Sequence, residues 1–303
     1  MKNSILFLIL VFALLMFCGC SEDADRIVNS RVDKYSEAIL STYTVEASSN
    51  AKFTYDVYLK DGEPEFIWIT GPMSEEETHY DFPAHIDHVP ITGIAEGAFS
   101  YAPITSLDLP GELEYIGRRA FYNCPALTSV TIPSSVYYLG DYAFYSCVVL
   151  ETVKIPDTLS WIGGLAFKDT PWLDGQTDEF VLVGDHVLID ANVTGEVTVP
   201  AGVRCLSSAF YCNETITRVT LPEGIIEIGP AAFMGCTSLT EVNIPASTLW
   251  IGDSAFRMCS SLPSLTLTEG ITAIGVHAFD GMGGSVEAPA GSAAEQLLKK
   301  AKE

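Results

Sequence analysis

The sequence is poor in positive charge. Lys and Arg number 16 against 39 Asp and Glu, for a formal charge of −23 and a pI near 4.4. Nucleic acid is a poor partner for such a chain, because phosphate binding needs a basic stripe. Anionic lipid headgroups are disfavoured for the same reason. Charged residues of either sign make up only 18%, and apolar residues 48%, so the chain is not largely disordered. The one long hydrophobic run, Ile5 to Phe17, has 13 residues. A membrane-spanning helix needs roughly 20. Cys-x-x-Cys, Gly-x-Ser-x-Gly and His-Glu-x-x-His are missing, as is a phosphate-cradling glycine loop. No catalytic constellation stands out, no cofactor or metal is called for, and the chain reads as a non-enzyme.

The N-terminus has the form of an export signal. Lys2 supplies a positive start, and the 13-residue run has the length of a signal-peptide core. Phe17-Cys18-Gly19-Cys20 follows, then acidic Ser21-Glu22-Asp23. This segment resembles a bacterial lipobox. The resemblance implies cleavage before Cys20, lipid on its thiol and acylation of its amine, which together anchor stably where one chain would not. Residues 1–19 are thus expected to be a signal peptide. Residues 20–51 are expected to be a lipidated spacer, with a short amphipathic helix over Arg26 to Thr42 carrying Ile27, Val32, Tyr35 and Ile39.

Beyond the spacer the chain repeats. An Ala-Phe pair recurs with its Phe at 99, 121, 144, 167, 210, 233, 256 and 279, at steps of 22, 23, 23, 43, 23, 23 and 23. A fixed period of this length marks a solenoid. Around each Phe the pattern is Leu-x-x-Val-x-Ile-Pro, an apolar residue, then Ile-Gly-x-x-Ala-Phe-x-x-Cys. One copy runs Leu127, Val130, Ile132, Pro133, Val136, Leu139, Gly140, Ala143, Phe144, Cys147. Another runs Leu239, Val242, Ile244, Pro245, Ile251, Gly252, Ala255, Phe256, Cys259. Val-x-Ile puts both side chains on one face of a strand, and Pro ends it. Gly suits a tight turn. Ala-Phe is expected on a short helical turn that plugs the interior. Each coil must stack on neighbours to bury its core.

These residues resemble the BspA-type leucine-rich repeats of bacterial surface lipoproteins, over roughly residues 52 to 303. The resemblance implies a right-handed stack of coils of about 23 residues, with a capping β-hairpin at its N-terminus and a short C-terminal helix. Residues 52–98 would hold the cap and first coil, 99–285 the solenoid with an insertion at 168–196, and 286–303 the C-terminal cap. The cap hairpin is expected as Phe53 to Leu59 and Glu65 to Thr70, turning at Asp61-Gly62. The end cap is expected as Val286 to Pro289 with a helix from Ala293 to Glu303. Inside the insertion, Phe180 to Val183 and His186 to Ile189 flank Gly184-Asp185, which reads as a two-residue hairpin turn. Thr170-Pro171-Trp172-Leu173 has counterparts in the family and is read as a structural kink.

Four thiols, Cys124, Cys147, Cys236 and Cys259, sit three residues after a repeat Phe, with Cys212 near that place. Their regularity favours a buried ladder of free cysteines over disulfides. His79, Asp81, His85, Asp87 and His88 are metal-ligand types at close spacing, but they read as a polar loop, as does Glu75-Glu76-Glu77.

One column exceeds the needs of the repeat. Six residues before the Phe stand Tyr115, Tyr138 and Trp161 in successive coils, and Trp250 later; other copies have Gly93, Glu227 and Ala273. Alternation with the inward Ile points this column outward, so three rings should form an exposed ladder. These four residues are the expected contact surface. Tyr122 and Tyr145 add rings whose direction the pattern leaves open. A second outer face, Asp108, Thr131, Lys154, Thr198, Thr220, Asn243 and Thr266, is polar and Thr-rich.

The expected function is that of an exported, lipid-anchored, surface-exposed protein that binds host or matrix proteins in adhesion. Glycan capture, or an envelope scaffold without external ligand, are the alternatives. The protein or glycan ligand is not named by the sequence.

Overall fold

The computed structural model describes residues 40–301 except 51, 75 and 185. Residues 1–19, expected as a signal peptide, Cys20, and most of the stretch 20–51 expected as a spacer lie outside the described residues. Contacts divide the chain into two compact units, ending at and starting from Gln176 and Thr177. Both are stacks of repeat coils.

Unit 1 opens with three antiparallel strands, Thr44–Ser49, Phe53–Lys60 and Glu63–Pro72. The first falls in the stretch read as spacer. Ser48-Ser49-Asn50 is a strand end and turn, where Asn50 Oδ1 accepts from the amides of Lys52 and Phe53. The Asp61-Gly62 turn pairs Lys60 with Glu63 and has both central residues at positive φ, the twist that tight hairpins need. The third strand then continues in parallel. It pairs with Val89–Ile94, and that strand leads to Tyr115–Ile116, Tyr138–Leu139 and Trp161–Ile162. The Val-x-Ile segments form the opposite side of the coils, as in Ser129–Thr131 on Thr152–Lys154.

Between the two sides lies a column of phenylalanines. Phe99, Phe121, Phe144 and Phe167 stack with centroids 5.1–5.5 Å apart and planes within 9°. Tyr80 meets the free end of this column edge-on at 5.0 Å. At the other end Trp172 does the same to Phe167 at 4.9 Å. Trp172 is held by a four-residue helix α1 (Pro171–Asp174), which Thr170 caps by accepting from the Leu173 amide. The Thr-Pro-Trp-Leu segment is thus the lid of the unit 1 core.

Unit 2 starts on the rest of the insertion. Phe180–Val183 and Val187–Ala191 form an antiparallel hairpin, and the second strand feeds a parallel stack through Cys205–Leu206, Glu227–Ile228, Trp250–Ile251 and Ala273–Ile274. The insertion therefore repeats the opening device of unit 1. Val183 pairs with Val187, so the turn holds three residues and not two. Phe210, Phe233, Phe256 and Phe279 continue as a second column at 5.0–6.1 Å. Ser285–Glu287 and helix α2 (Ala293–Ala301) close this end, with Ala294 and Leu298 in the core.

The Ala-Phe segment is a pair of tight turns, not a helical turn. The residues two before and two after the Phe take positive φ in almost every coil: Arg119 and Asn123, Tyr142 and Ser146, Ser254 and Met258. This turns amides along the stack axis, so that Phe144 N donates to Ala166 O and Phe233 N to Ala255 O. The repeat Gly serves a purpose other than the turn. Its φ is ordinary, but a Cβ on Gly140 would stand 2.4 Å from Arg118 N, and one on Gly252 2.5 Å from Pro230 N. Glycine is needed there because neighbouring coils touch backbone to backbone.

Candidate functional site

The aromatic column assembles. Tyr115, Tyr138 and Trp161 are in parallel register. Tyr115 and Tyr138 stack at 4.7 Å and 8°, Tyr138 and Trp161 at 6.2 Å and 1°. Pattern reading missed a fourth ring. Trp68, from the cap hairpin, stacks on Tyr115 at 4.7 Å and 6°. It reaches across Gly93, where a Cβ would meet the indole at 2.4 Å. The glycine in the ladder position of the first coil was the available signal: it leaves room for a ring from elsewhere.

The ladder is not the open face that alternation predicts. Its three rings are half-buried. Trp68 joins Phe66 and Tyr137 in a small apolar cluster, with Leu40, Tyr43, Tyr58, Tyr115 and Tyr138 packed against it. Burial, with Glu96 and Asp141 nearby, pushes the Tyr115 phenol well above its usual range. The ring faces are turned to one another, so only edges are presented along the stack. Trp250 does not extend a ladder: its neighbours in register are Glu227 and Ala273, both buried. This column lies on the outer side of its strands, yet the chain covers it in both units. Cys20 lies outside the described residues.

A second aromatic group is more open. Tyr122 and Tyr145 stack at 5.4 Å and 6°. Tyr101, 66% exposed, meets Tyr122 edge-on, and Tyr142 meets Tyr145 likewise. The Arg119 guanidinium lies 5.7 Å from the Tyr122 ring and 5.5 Å from that of Tyr142, and Arg118 lies 5.9 Å from Tyr142. Such cation–ring contacts contribute about 0.5–1 kcal/mol each at exposed sites. Tyr101, Arg119 and Tyr142 hold the positive-φ positions of their turns, which swing these side chains onto the turn edge. The residues two either side of each Phe were the signal for this group.

The remaining candidates are structural. Cys124, Cys147, Cys236 and Cys259 are buried free thiols that donate to the carbonyls of Phe99, Phe121, Phe210 and Phe233, at 3.0–3.2 Å. Burial pushes the Cys236 thiol up, and Cys259 to about 12. Cys212 leaves the ladder. Its coil is one residue short, so it takes the exposed positive-φ place and Asn213 turns inward to Val193 O. The histidines are spread out: His79 bonds Ser106, His85 faces Glu112 at 3.3 Å, and Asp87 and His88 form a hairpin turn. Among the described residues no three His, Cys, Asp or Glu group for a metal. Asp108, Thr131, Lys154, Thr198, Thr220, Asn243 and Thr266 are exposed. Asn243 also bonds both the amide and the carbonyl of Leu221.

Several solved structures are similar to this chain. A leucine-rich repeat protein from Bacteroides capillosus is 27% identical over 42% of this chain and 94% of its own, with a TM-score of 0.38. The pneumococcal vaccine antigen PcpA is 18% identical over 80% and 81%, at 0.41. A Treponema pallidum (T. pallidum) leucine-rich repeat protein is 22% identical over 85% and 97%, at 0.33. These superpositions are too loose to carry an argument about function. No curated protein matches the chain. The family described as BspA type leucine rich repeat region matches in six copies, over residues 89–175 and 189–288. Most of the described chain is accounted for by those copies, and the chain belongs to that family.

Proposed function

We propose that this is an exported, lipid-anchored protein of the cell surface that binds other proteins and has no catalytic role. Leucine-rich repeat proteins of this kind serve binding or adhesion in general. The finer reading, attachment to host or matrix proteins, rests on the lipobox-like Cys20 and on one surface. That surface is the turn edge of unit 1, with Tyr101, Tyr122, Tyr142, Tyr145 and Arg119. Tyr and Arg are the residues that protein interfaces enrich and that dominate binding energy. The rings hold one another and the guanidinium in place, so little side-chain freedom is lost on contact.

The observation that carries this reading is the exposed Tyr101 ring beside the Arg119 guanidinium held by two tyrosines. Glycan capture is less well supported. Sugars stack on open ring faces, and in both stacks the faces are turned to each other. The test is an array of matrix proteins and glycans probed with the mature chain. Arg119→Ala with Tyr122→Ala is expected to abolish retention on a protein spot. Tyr115→Ala, Tyr138→Ala and Trp161→Ala together probe the ladder in the same format. Retention on glycan spots alone, or on protein spots with the turn-edge variant unchanged, would refute the proposal.

A further inference from the structure

Unit 2 holds a thiol that its ladder does not account for. Cys212 stands two residues after its repeat Phe, whereas Cys236 and Cys259 stand three after theirs. That single place puts Cys212 at a positive φ of 55, exposed on the turn edge, and gives the inward place to Asn213. Cys236 and Cys259 are buried.

Cys212 and Cys236 are neighbours along the stack all the same. Their turns are joined by Cys212 N, which donates to Met234 O at 2.7 Å. The Cys212 sulfur leans onto the next coil: a Cβ on Gly235, the residue before Cys236, would stand 3.1 Å from it. Gly235 has φ 77 and no side chain to set between the two thiols. The Cys236 sulfur leans the other way. It donates to Phe210 O at 3.0 Å, within the turn that carries Cys212. Each sulfur therefore lies against the other's turn. Residues one coil on and one place along are about 6 Å apart from Cα to Cα, inside the range of about 4.4–6.8 Å that a disulfide spans. The counterparts of Cys212 in unit 1 are Tyr101, Asn123, Ser146 and Asp169, so no thiol stands on that edge beside the buried pair Cys124 and Cys147.

We propose that Cys212 and Cys236 form a reactive pair, the site at which a small-molecule disulfide oxidises this chain. The Cys212 thiolate, reached from solvent, attacks one sulfur of the oxidant R–S–S–R, forms a mixed disulfide and releases one thiolate R–S⁻. The Cys236 thiol then gives up its proton and attacks the Cys212 sulfur, which releases the second R–S⁻. The two cysteines lose two electrons and two protons, and the oxidant becomes two R–SH. Cys236 exchanges its hydrogen bond to Phe210 for a covalent link between consecutive coils. Burial, with Cys259 and Cys212 nearby, pushes the Cys236 thiol up, so closure is the slower step. The inference rests on the coil geometry and not on the proposed function.

The full 303-residue chain, incubated folded with oxidised glutathione, alkylated and digested without reduction, tests it. Peptide mass spectrometry should find Cys212 joined to Cys236. Cys236→Ala should stop at glutathione on Cys212, and the parent should carry at least about tenfold less of that adduct, because the tethered thiol acts at an effective concentration on the order of millimolar. Cys212→Ser should leave Cys236 reduced. Cys147 and Cys259 closed to the alkylating reagent in parent and variants show that both units stay folded. Equal glutathione on Cys212 in the parent and in Cys236→Ala, Cys236 oxidised as readily in Cys212→Ser, a bridge from Cys236 to Cys259 in place of Cys212, or Cys212 joined mainly to a second chain would each overturn the proposal.

Discussion

Gly140→Ala isolates the contact on which the coil stacking depends. The added Cβ would lie 2.4 Å from Arg118 N and 2.7 Å from both Arg118 Cα and Gly117 C, all backbone atoms. Ordinary contact is about 1 Å longer, so one coil must move off the other. Overpacking of this kind costs about 1–3 kcal/mol. The movement also strains two rungs beside it, Gly140 N to Ile116 O at 2.9 Å and Arg119 N to Asp141 O at 2.9 Å. Each rung contributes about 1 kcal/mol. Losing glycine's freedom in the unfolded chain returns about 0.4–1 kcal/mol. A net loss of about 2–4 kcal/mol is expected by combining these terms. Gly111→Ala is the matched control. Nothing lies within 4 Å of its Cβ and its φ is not positive, so it should be neutral or stabilising. Urea unfolding read by tryptophan emission gives both, as midpoint shifts at constant slope. A Gly140→Ala chain within about 0.5 kcal/mol of the parent, or a Gly111→Ala chain equally weakened, would show that the close approach is not what selects glycine.

Ser254→Gly should stabilise by a few tenths to about 1 kcal/mol, because Ser254 sits at φ 58 in a half-buried turn; Ser254→Val should cost more than 1 kcal/mol, and thermal melts of both check the sign. Tyr138→Ala loses ring contacts on both sides, about 0.5–1.5 kcal/mol each beyond burial, which urea melts of parent and variant check. A thiol reagent should label Cys212 at once in the native chain and the four ladder thiols only on unfolding, which peptide mapping reads. The Cys259 thiol is held near 12 when folded against an ordinary 9.0, so it stays neutral while the unfolded chain ionises. The unfolded state then binds fewer protons, and stability falls from pH about 9 towards 12 by about 1.4 kcal/mol per unit for this thiol. Cys259→Ala should flatten that fall in urea melts at pH 7, 9 and 10.

Repeat spacing carries long-range order with unusual economy, because a residue's neighbours in space are its counterparts one period away. The Phe column, the thiol column and the stacking of Tyr115, Tyr138 and Trp161 are therefore legible from the sequence. Trp68 is not, because it belongs to no repeat and enters the column only through the space above Gly93. The expected exposure of the ladder fails for a related reason. Alternation fixes which side of a strand a residue takes, but not what another part of the chain lays over it. The glycines mislead in the opposite sense. Position before a turn suggests a need for positive φ, whereas the need is for space between coils, and the positive φ is carried by Arg119, Tyr142 and their counterparts. The two-residue turn at Gly184 fails by one residue, which register alone decides.

The two units together show that the ladder is not a requirement of the fold. Unit 2 stacks its coils with Cys205, Glu227, Trp250 and Ala273 in the same column, and its Phe column is as regular as that of unit 1. A carboxylate at 5% exposure is an expensive choice there and a ring is an optional one. Four consecutive aromatic rings in unit 1 are thus a property of that unit and not of the repeat. Stacking explains their mutual contact, and Tyr137 is buried beside them in one cluster with Phe66 and Trp68 of the cap hairpin. The cap hairpin closes the Trp68 end of the ladder, whereas the turn edge with Tyr101 and Arg119 stays open.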